Sequence, residues 1–211
     1  SLHATRHAIA LLPNDAATYN NLGTSFLCLE RIDEAEANFK KALAIAPYYA
    51  KALSNLGNLL KKQGKLHQAE TCCRRALEIE PRYANAHVNL GNTLLMQDRL
   101  SEAQTCYRAA LTITPAAANI HSNLLYCLSH DVTIEPPQLF AEHVAFGEQF
   151  EAPLRAGWQA HNNDKDPTRC LQVGFVSGDL CNHAVASFLE PVLEFLAQKP
   201  TLSLHAYYTY T

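Results

Sequence analysis

Apolar positions in the first two thirds of the chain recur three and four residues apart, in blocks separated by short polar stretches. Tyr19, Leu22, Gly23 and Phe26 fall on one face of a first helix, and Ala35, Phe39 and Ala42 on one face of a second. The polar segments Glu30-Arg31-Ile32-Asp33, Gln63-Gly64-Lys65-Leu66 and Gln97-Asp98-Arg99-Leu100 read as the turns between such helices. The block then repeats. Prolines stand at 13, 47, 81 and 115, each 34 residues after the last. Eight residues beyond each comes an asparagine (Asn21, Asn55, Asn89, Asn123) followed by leucine, and in the first three by glycine as well. Alanines recur in phase at 35, 69 and 103 and at 42, 76 and 110. Small Gly and Ala let paired helices approach closely, and the proline ends each second helix because it lacks a donor and disfavours helical backbone before it. A single hairpin cannot bury its apolar face alone, so the units are expected to stack into a superhelical solenoid.

The pattern stops after Leu128, and Pro136-Pro137 marks a break. Residues 139–154 predict an amphipathic helix with Phe140, Val144, Gly147 and Phe150 on one side. A polar, turn-rich stretch over 157–169 reads as a linker. Beyond it, Leu171–Ser177 suits a buried parallel strand. Residues 184–198 predict a helix with Val185, Phe188, Leu189, Val192, Leu193 and Leu196 inward, and 202–210 a second strand. This is the opening βαβ of a doubly wound α/β domain, and two strands are too few to complete such a sheet. The expected organisation is therefore helical repeats over 1–130 (partial at 1–13, full at about 14–47, 48–81 and 82–115, degenerate at 116–130). Connecting helices at 131–156, a linker at 157–170 and an incomplete α/β domain at 171–211 follow.

Composition narrows the function classes. With 211 residues, 48% of them hydrophobic, and a formal charge of −3, the chain can bury a core and has no concentrated basic face for nucleic acid. Residues 1–127 carry 13 basic and 10 acidic groups, and 128–211 carry 4 and 10, which supports a boundary between them. No apolar run reaches the roughly 20 residues of a membrane-spanning helix. No basic-then-apolar leader opens the chain at Ser1, so a cytoplasmic location without membrane partners is expected. The seven cysteines include no CxxC pair and read as small buried hydrophobes of a reducing compartment.

The asparagines carry the first functional expectation. The first helices of such a stack line its concave surface, so Asn21, Asn55, Asn89 and Asn123 form a ladder there, with Asn58 and Asn92 one turn further on and Asn20 and Ser54 beside it. Amides donate and accept, and so can hold an extended peptide by its backbone. The alternative is that each asparagine bonds a neighbouring turn and only orders the stack. A sharper possibility is a clamp for a carboxylate, pairing Asn55 or Asn89 with Lys61, Lys62 or Arg75, but basic residues do not recur in phase with the ladder. His87 and His121, 34 apart, are expected to pack between helices, with no metal-ligand spacing around them. In the α/β part, residues 178–183 and the helix start after them lie at a strand's carboxyl end, where backbone N–H groups favour anions; no G-x-G-x-x-G is present.

The repeat residues resemble the tetratricopeptide consensus: Tyr19-x2-Leu22-Gly23-x2-Phe26, Ala35-x3-Phe39 and Pro47, with Tyr19 where Trp is common. Leu53, Leu60 and Cys73, then His87, Leu94 and Tyr107, occupy the aromatic positions of the next two repeats. The order of parts, with Leu171-Gln172-Val173-Gly174-Phe175-Val176-Ser177-Gly178-Asp179-Leu180-Cys181-Asn182-His183 followed by Phe188-Leu189-Glu190-Pro191, resembles the O-GlcNAc transferase/SPINDLY family, especially its bacterial members. The resemblance implies the first half of a GT-B glycosyltransferase domain, a nucleotide-sugar donor (UDP-GlcNAc) without a catalytic metal, and protein substrates delivered by the repeats to accept sugar on Ser or Thr. It also implies an active-site role for His183 as base or positioning group, against the plainer reading of a helix-capping histidine. Ala184 departs from the family's frequent proline, and Ser187 from a second histidine. A non-catalytic repeat adaptor is the competing function.

Overall fold

The computed structural model describes residues 14–159, 166, 168–177 and 184–208. His7, Ala8, Ile9 and Pro13, expected to end an earlier repeat, lie outside the described residues. The chain divides into two compact units, with the boundary between Trp158 and Gln159.

The first unit is a row of helical hairpins. Helix α1 (Ala16–Cys28) pairs with α2 (Ile32–Ile45), α3 (Ala50–Lys62) with α4 (Leu66–Ile79), and α5 (Ala84–Leu95) with α6 (Leu100–Ile113). Helix α7 (Ala118–His130) begins a fourth hairpin, against which α8 (Pro136–Phe146) packs. One contact closes each pair. A Cβ added to Gly23 would lie 2.7 Å from the Phe39 ring, one on Gly57 2.6 Å from the Cys73 sulfur, and one on Gly91 2.8 Å from the Tyr107 ring. Only glycine fits there. Phe39, Cys73 and Tyr107 are fully buried, as are the alanines at 35, 42, 69, 76, 103 and 110 that bring the second helix close. Removing the Phe39 or Tyr107 ring from such a site costs about 3–5 kcal/mol.

The turns obey the same period. Glu30 (φ 58°), Gly64 (φ 75°) and Asp98 (φ 59°) all take left-handed backbone. The next N–H then reaches back five residues, Arg31 to Phe26 at 3.0 Å, Lys65 to Leu60 at 2.9 Å and Arg99 to Leu94 at 3.0 Å, satisfying carbonyls that the helix end leaves open. At the other end of each pair, Ala46, Glu80 and Thr114 stand before proline with ψ between 74° and 89°, outside the helical region as the proline ring requires.

Stacking is asymmetric. Successive first helices pack on one another (α1 on α3, α3 on α5), and each second helix packs on the first helix that follows it. Among the described residues no comparable contact joins successive second helices. The first helices are therefore the inner rank and the second helices the outer. A polar seam locks the outer rank at a period of 34: Glu36 accepts from Lys40 at 2.6 Å and Gln63 at 2.9 Å, Glu70 from Arg74 and Arg99 at 2.8 Å each, and Gln104 donates to Asp131 at 2.6 Å. The bond from Lys40 holds the Glu36 carboxyl below its usual range. Burial opposes the same shift at Glu70, but the bonds from Arg74 and Arg99 prevail and lower it too.

The helix expected over 139–154 is broken. Helix α8 starts with Pro136 and ends at Phe146, followed by a wide i→i+5 turn at Gly147–Glu151 and a tight one at Ala152–Gly157. Pro153 has no N–H to continue a regular helix. Its packing face also differs from the expectation. Leu139 and Phe146 reach the core, whereas Phe140 is 70% exposed. Phe146 and Phe150 meet the buried His121 ring edge-on at 5.2 and 5.9 Å, which gives this histidine the packing role expected of it. The cysteines likewise divide: Cys73 and Cys127 are buried, but Cys28 and Cys170 are exposed.

In the second unit, β1 (Leu171–Ser177) and β2 (Leu202–Tyr208) pair in parallel, from Leu171 opposite Leu202 to Ser177 opposite Tyr208, with α9 (Ala184–Ala197) between them in the chain. Leu189, Leu193 and Leu196 are half-buried. Val185, Phe188 and Val192, expected inward, are exposed, Phe188 to 81%. Helix α9 is apolar on two sides, and the two strands cover only one. No helix among the described residues is long and apolar enough to cross a membrane.

Two stability measurements test this account. Gly64 has open space around it, so Gly64→Ala strains only the left-handed backbone and should lower the urea-unfolding free energy by about 1–2 kcal/mol, while Glu30→Gly should be neutral or stabilising. Burial pushes the Cys73 thiol up from 9.0 to about 12 and Cys106 up to about 11. Raised folded values mean that the neutral thiols stabilise the fold below the ordinary thiol range, and that this contribution fades as pH rises through about 11 to 12. The melting temperature should therefore decline above about pH 9, with a shallower decline in a Cys73→Ala/Cys106→Ala variant.

Candidate functional site

The open face of the inner rank is a grid set by helical spacing. Each first helix leaves a stripe of positions four, three and four residues apart. On α1 the stripe is Ala17, Asn21, Thr24 and Cys28. On α3 it is Lys51, Asn55, Asn58 and Lys62, and on α5 Asn85, Asn89, Asn92 and Met96 at the helix end. On α7 it is Asn119, Asn123, Tyr126 and His130. The four ladder asparagines thus share one row, and Asn58 and Asn92 the row beside it. On the other side of the ladder, the Lys51 position is taken by Asn85 and Asn119 in the next two repeats, both exposed. Asn21 is exposed; Asn55, Asn58, Asn89, Asn92 and Asn123 are half-buried.

The two central rungs are tethered to the preceding repeat. The Asn55 Nδ2 donates to the Asn20 Oδ1 at 2.8 Å and lies 3.4 Å from the Thr24 hydroxyl. The Asn89 Nδ2 donates to the Ser54 hydroxyl at 2.9 Å and to the Ser54 carbonyl at 3.2 Å. Asn20 and Ser54 are themselves buried, at 1% and 0% exposure. The stack-ordering role expected of these amides is the one seen in these bonds: the nitrogen of each is engaged by the preceding repeat, and the Oδ1 of each, an acceptor by its chemistry, has no partner among the described residues. Asn92 is anchored differently, accepting from the buried Tyr107 hydroxyl at 2.8 Å. At the end of the row the Tyr126 and His130 rings lie 4.3 Å apart.

The clamp is only half assembled. Lys61 and Lys62 sit on α3 with Asn55, but Arg75 is on α4 in the outer rank. His87 is held through its Nε2 to the Pro81 carbonyl at 2.9 Å. No group of three or more His, Cys, Asp or Glu among the described residues is placed to hold a metal. His183, with Asp179, Cys181 and Asn182, lies outside the described residues. The sequence candidates omit Lys51; its signal is its position four residues before a ladder asparagine.

Comparison with known proteins agrees with this architecture. Tetratricopeptide-repeat family models match residues 16–46 and 48–116. Compared with curated proteins, the chain matches none significantly. An O-GlcNAc transferase structure from Thermobaculum terrenum is similar with a TM-score of 0.70 and 29% identity, over 92% of this chain. The chain spans only 37% of that protein. YrrB, described as a TPR protein with an unusual peptide-binding site, is 19% identical with a TM-score of 0.61, over 74% of this chain and 79% of its own. The first TPR of Spaghetti (RPAP3), bound to the HSP90 peptide SRMEEVD, is 21% identical with a TM-score of 0.52, over 55% of this chain and 91% of its own. These last two likenesses speak to the fold alone. The first unit of this chain, over residues 16–46 and 48–116, therefore consists of tetratricopeptide repeats.

Proposed function

We propose that this chain is the amino-terminal part of a protein O-glycosyltransferase, in which the inner rank of the repeats holds the protein substrate and the βαβ unit opens a GT-B-like catalytic domain. The observation that carries this reading is the extent of one match. The similarity to the Thermobaculum terrenum enzyme takes in 92% of the chain, more than the first unit alone supplies, whereas YrrB accounts for 74%. The exposed apolar side of α9 supports it, since a helix of a doubly wound domain is covered on both flanks.

In this reading a Ser or Thr hydroxyl of the bound protein attacks the anomeric carbon of UDP-GlcNAc. The new C–O bond forms as the bond to the diphosphate breaks, and UDP leaves with that electron pair. His183 takes or orients the hydroxyl proton, a task suited to imidazole's near-neutral pKa. The tethered amides of Asn55 and Asn89, with Asn21 and Asn123 at the ends of the row, hold the acceptor chain by its backbone. Such contacts are indifferent to side-chain identity and so suit an enzyme with many protein substrates.

The full-length parent protein, supplied with UDP-GlcNAc and a Ser/Thr-rich acceptor protein, should add sugar detectable by mass spectrometry. His183→Ala should lower turnover about 10²–10⁴-fold. Asn55→Ala/Asn89→Ala should reduce transfer to protein while sparing donor hydrolysis. Absence of transfer from any nucleotide sugar, together with undiminished partner binding by the repeats, would establish the adaptor function instead.

A further inference from the structure

Charge is segregated between the two ranks. The second helices carry Asp33, Glu34, Glu36, Glu70, Glu78 and Glu102. The four first helices, over 16–28, 50–62, 84–95 and 118–130, carry no Asp or Glu at all. Their only Lys or Arg residues are Lys51, Lys61 and Lys62, all on α3. These lysines and the amides of Asn55 and Asn58 make up everything that α3 leaves open; its remaining residues are buried.

Most cations of the outer rank are paired. On that side Lys40, Lys65, Arg74, Arg99 and Arg108 each sit within 4.0 Å of a carboxylate, while Lys41 lies 4.3 Å over the Tyr19 ring and, like Arg75, makes no ion pair among the described residues. Among the described residues, Lys51, Lys61 and Lys62 make no ion pair. Lys61 is the least solvated of the three, half-buried at the repeat position that Leu27 and Leu95 occupy on either side. Burial depresses its pKa and the neighbouring Lys62 adds to that effect, against an opposing influence of Cys73 on α4. A half-buried cation without an anion is an unfavourable arrangement that a ligand carboxylate relieves.

We infer that the inner face selects acidic protein segments: an extended chain runs across the asparagine row and places Asp or Glu side chains against Lys51, Lys61 and Lys62. This rests on the peptide-binding reading above and names the substrate class. The amides fix the backbone, and the lysines at both ends of the α3 stripe choose the side chains. With no carboxylate on these four first helices, nothing on their described residues repels an acidic chain, and a basic chain finds no partner there.

The test uses fluorescein-labelled Ser/Thr/Ala peptides of about twelve residues, extended enough to cross several helices, whose four central residues are all Glu, all Gln or all Lys. At low ionic strength the Glu peptide should bind about tenfold tighter than the Gln peptide by anisotropy, and this advantage should shrink at about 0.5 M salt. In Lys51→Gln/Lys61→Leu/Lys62→Gln the advantage should vanish while Gln-peptide binding persists. Leucine is chosen at 61 because the adjacent repeats carry it, and an unchanged circular-dichroism melt confirms folding. Equal binding of the three peptides, or a Glu preference that survives the substitutions, overturns charge selection but leaves the groove intact as a peptide site. Absence of binding by all three overturns both. An oligothymidylate of similar length that binds as tightly as the Glu peptide overturns the assignment to protein.

Discussion

Everything in the first unit depends on the contact between a glycine on one helix and a large or polarisable group on the next. Gly23 against Phe39, Gly57 against Cys73 and Gly91 against Tyr107 place the axes of each hairpin closer than any side chain at the glycine would permit. That closeness buries the alanines at 35, 69 and 103 completely and leaves the flanking Leu22, Leu56 and Leu90 to reach the adjoining helices. The contact is steric, not electrostatic, so it tolerates Phe, Cys or Tyr as the filling group but nothing in place of glycine. The middle repeat shows the limit of that tolerance. With Cys73 as the filler, the helices settle until the Ala69 carbonyl also lies 3.1 Å from where a Gly57 Cβ would be.

Once the hairpins are closed, the two ranks acquire different chemistry. The outer rank is spaced out, and Glu36, Glu70 and Gln104, one repeat apart, tie each second helix to the far end of the next first helix or the turn beyond it, at Gln63, Arg99 and Asp131. Individually such half-exposed pairs are worth about 0–1 kcal/mol, so their value lies in setting the rotation between repeats more than in holding them together. The inner rank is close-packed and needs no such bridges. Among its short polar side chains, Asn55 and Asn89 reach Asn20 and Ser54 of the repeat before them, and Asn92 accepts from Tyr107 within its own hairpin. Side chains already held in place lose little freedom when they bind, and this is the physical ground on which the proposed peptide site is put on this rank.

The sequence exposes most of this fold and rather less of its site. Prolines and glycines at a strict 34-residue period reveal the hairpins because each acts through its own backbone, without reference to distant parts of the chain. Of the left-handed turns, only one is legible. Gly64 announces the conformation, but Glu30 and Asp98 adopt it because the helix on either side leaves no alternative. The stretch after Leu128 departs from its expected packing face, since the i→i+5 turn at Gly147–Glu151 displaces the regular helical spacing that periodicity assumes. The second apolar side of α9 is invisible to a pattern that counts apolar residues without knowing how many surfaces exist to cover them.

For this protein the amino-acid sequence by itself determined the repeat, its hairpins and the row of asparagines, because each follows from local sterics and a fixed helical period. Tertiary structure decided what those asparagines bond within the stack. Whether an amide nitrogen is engaged by the neighbouring repeat depends on the register between helices 35 residues apart, which no local rule supplies. It likewise decided that Lys51 and Lys62 share the open stripe of α3 without an ion-pair partner among the described residues, with the unpaired Lys61 half-buried at the position of Leu27 and Leu95, while Arg75 does not join them. Ion pairing is a property of distance across the stack, and only the packed molecule sets that distance.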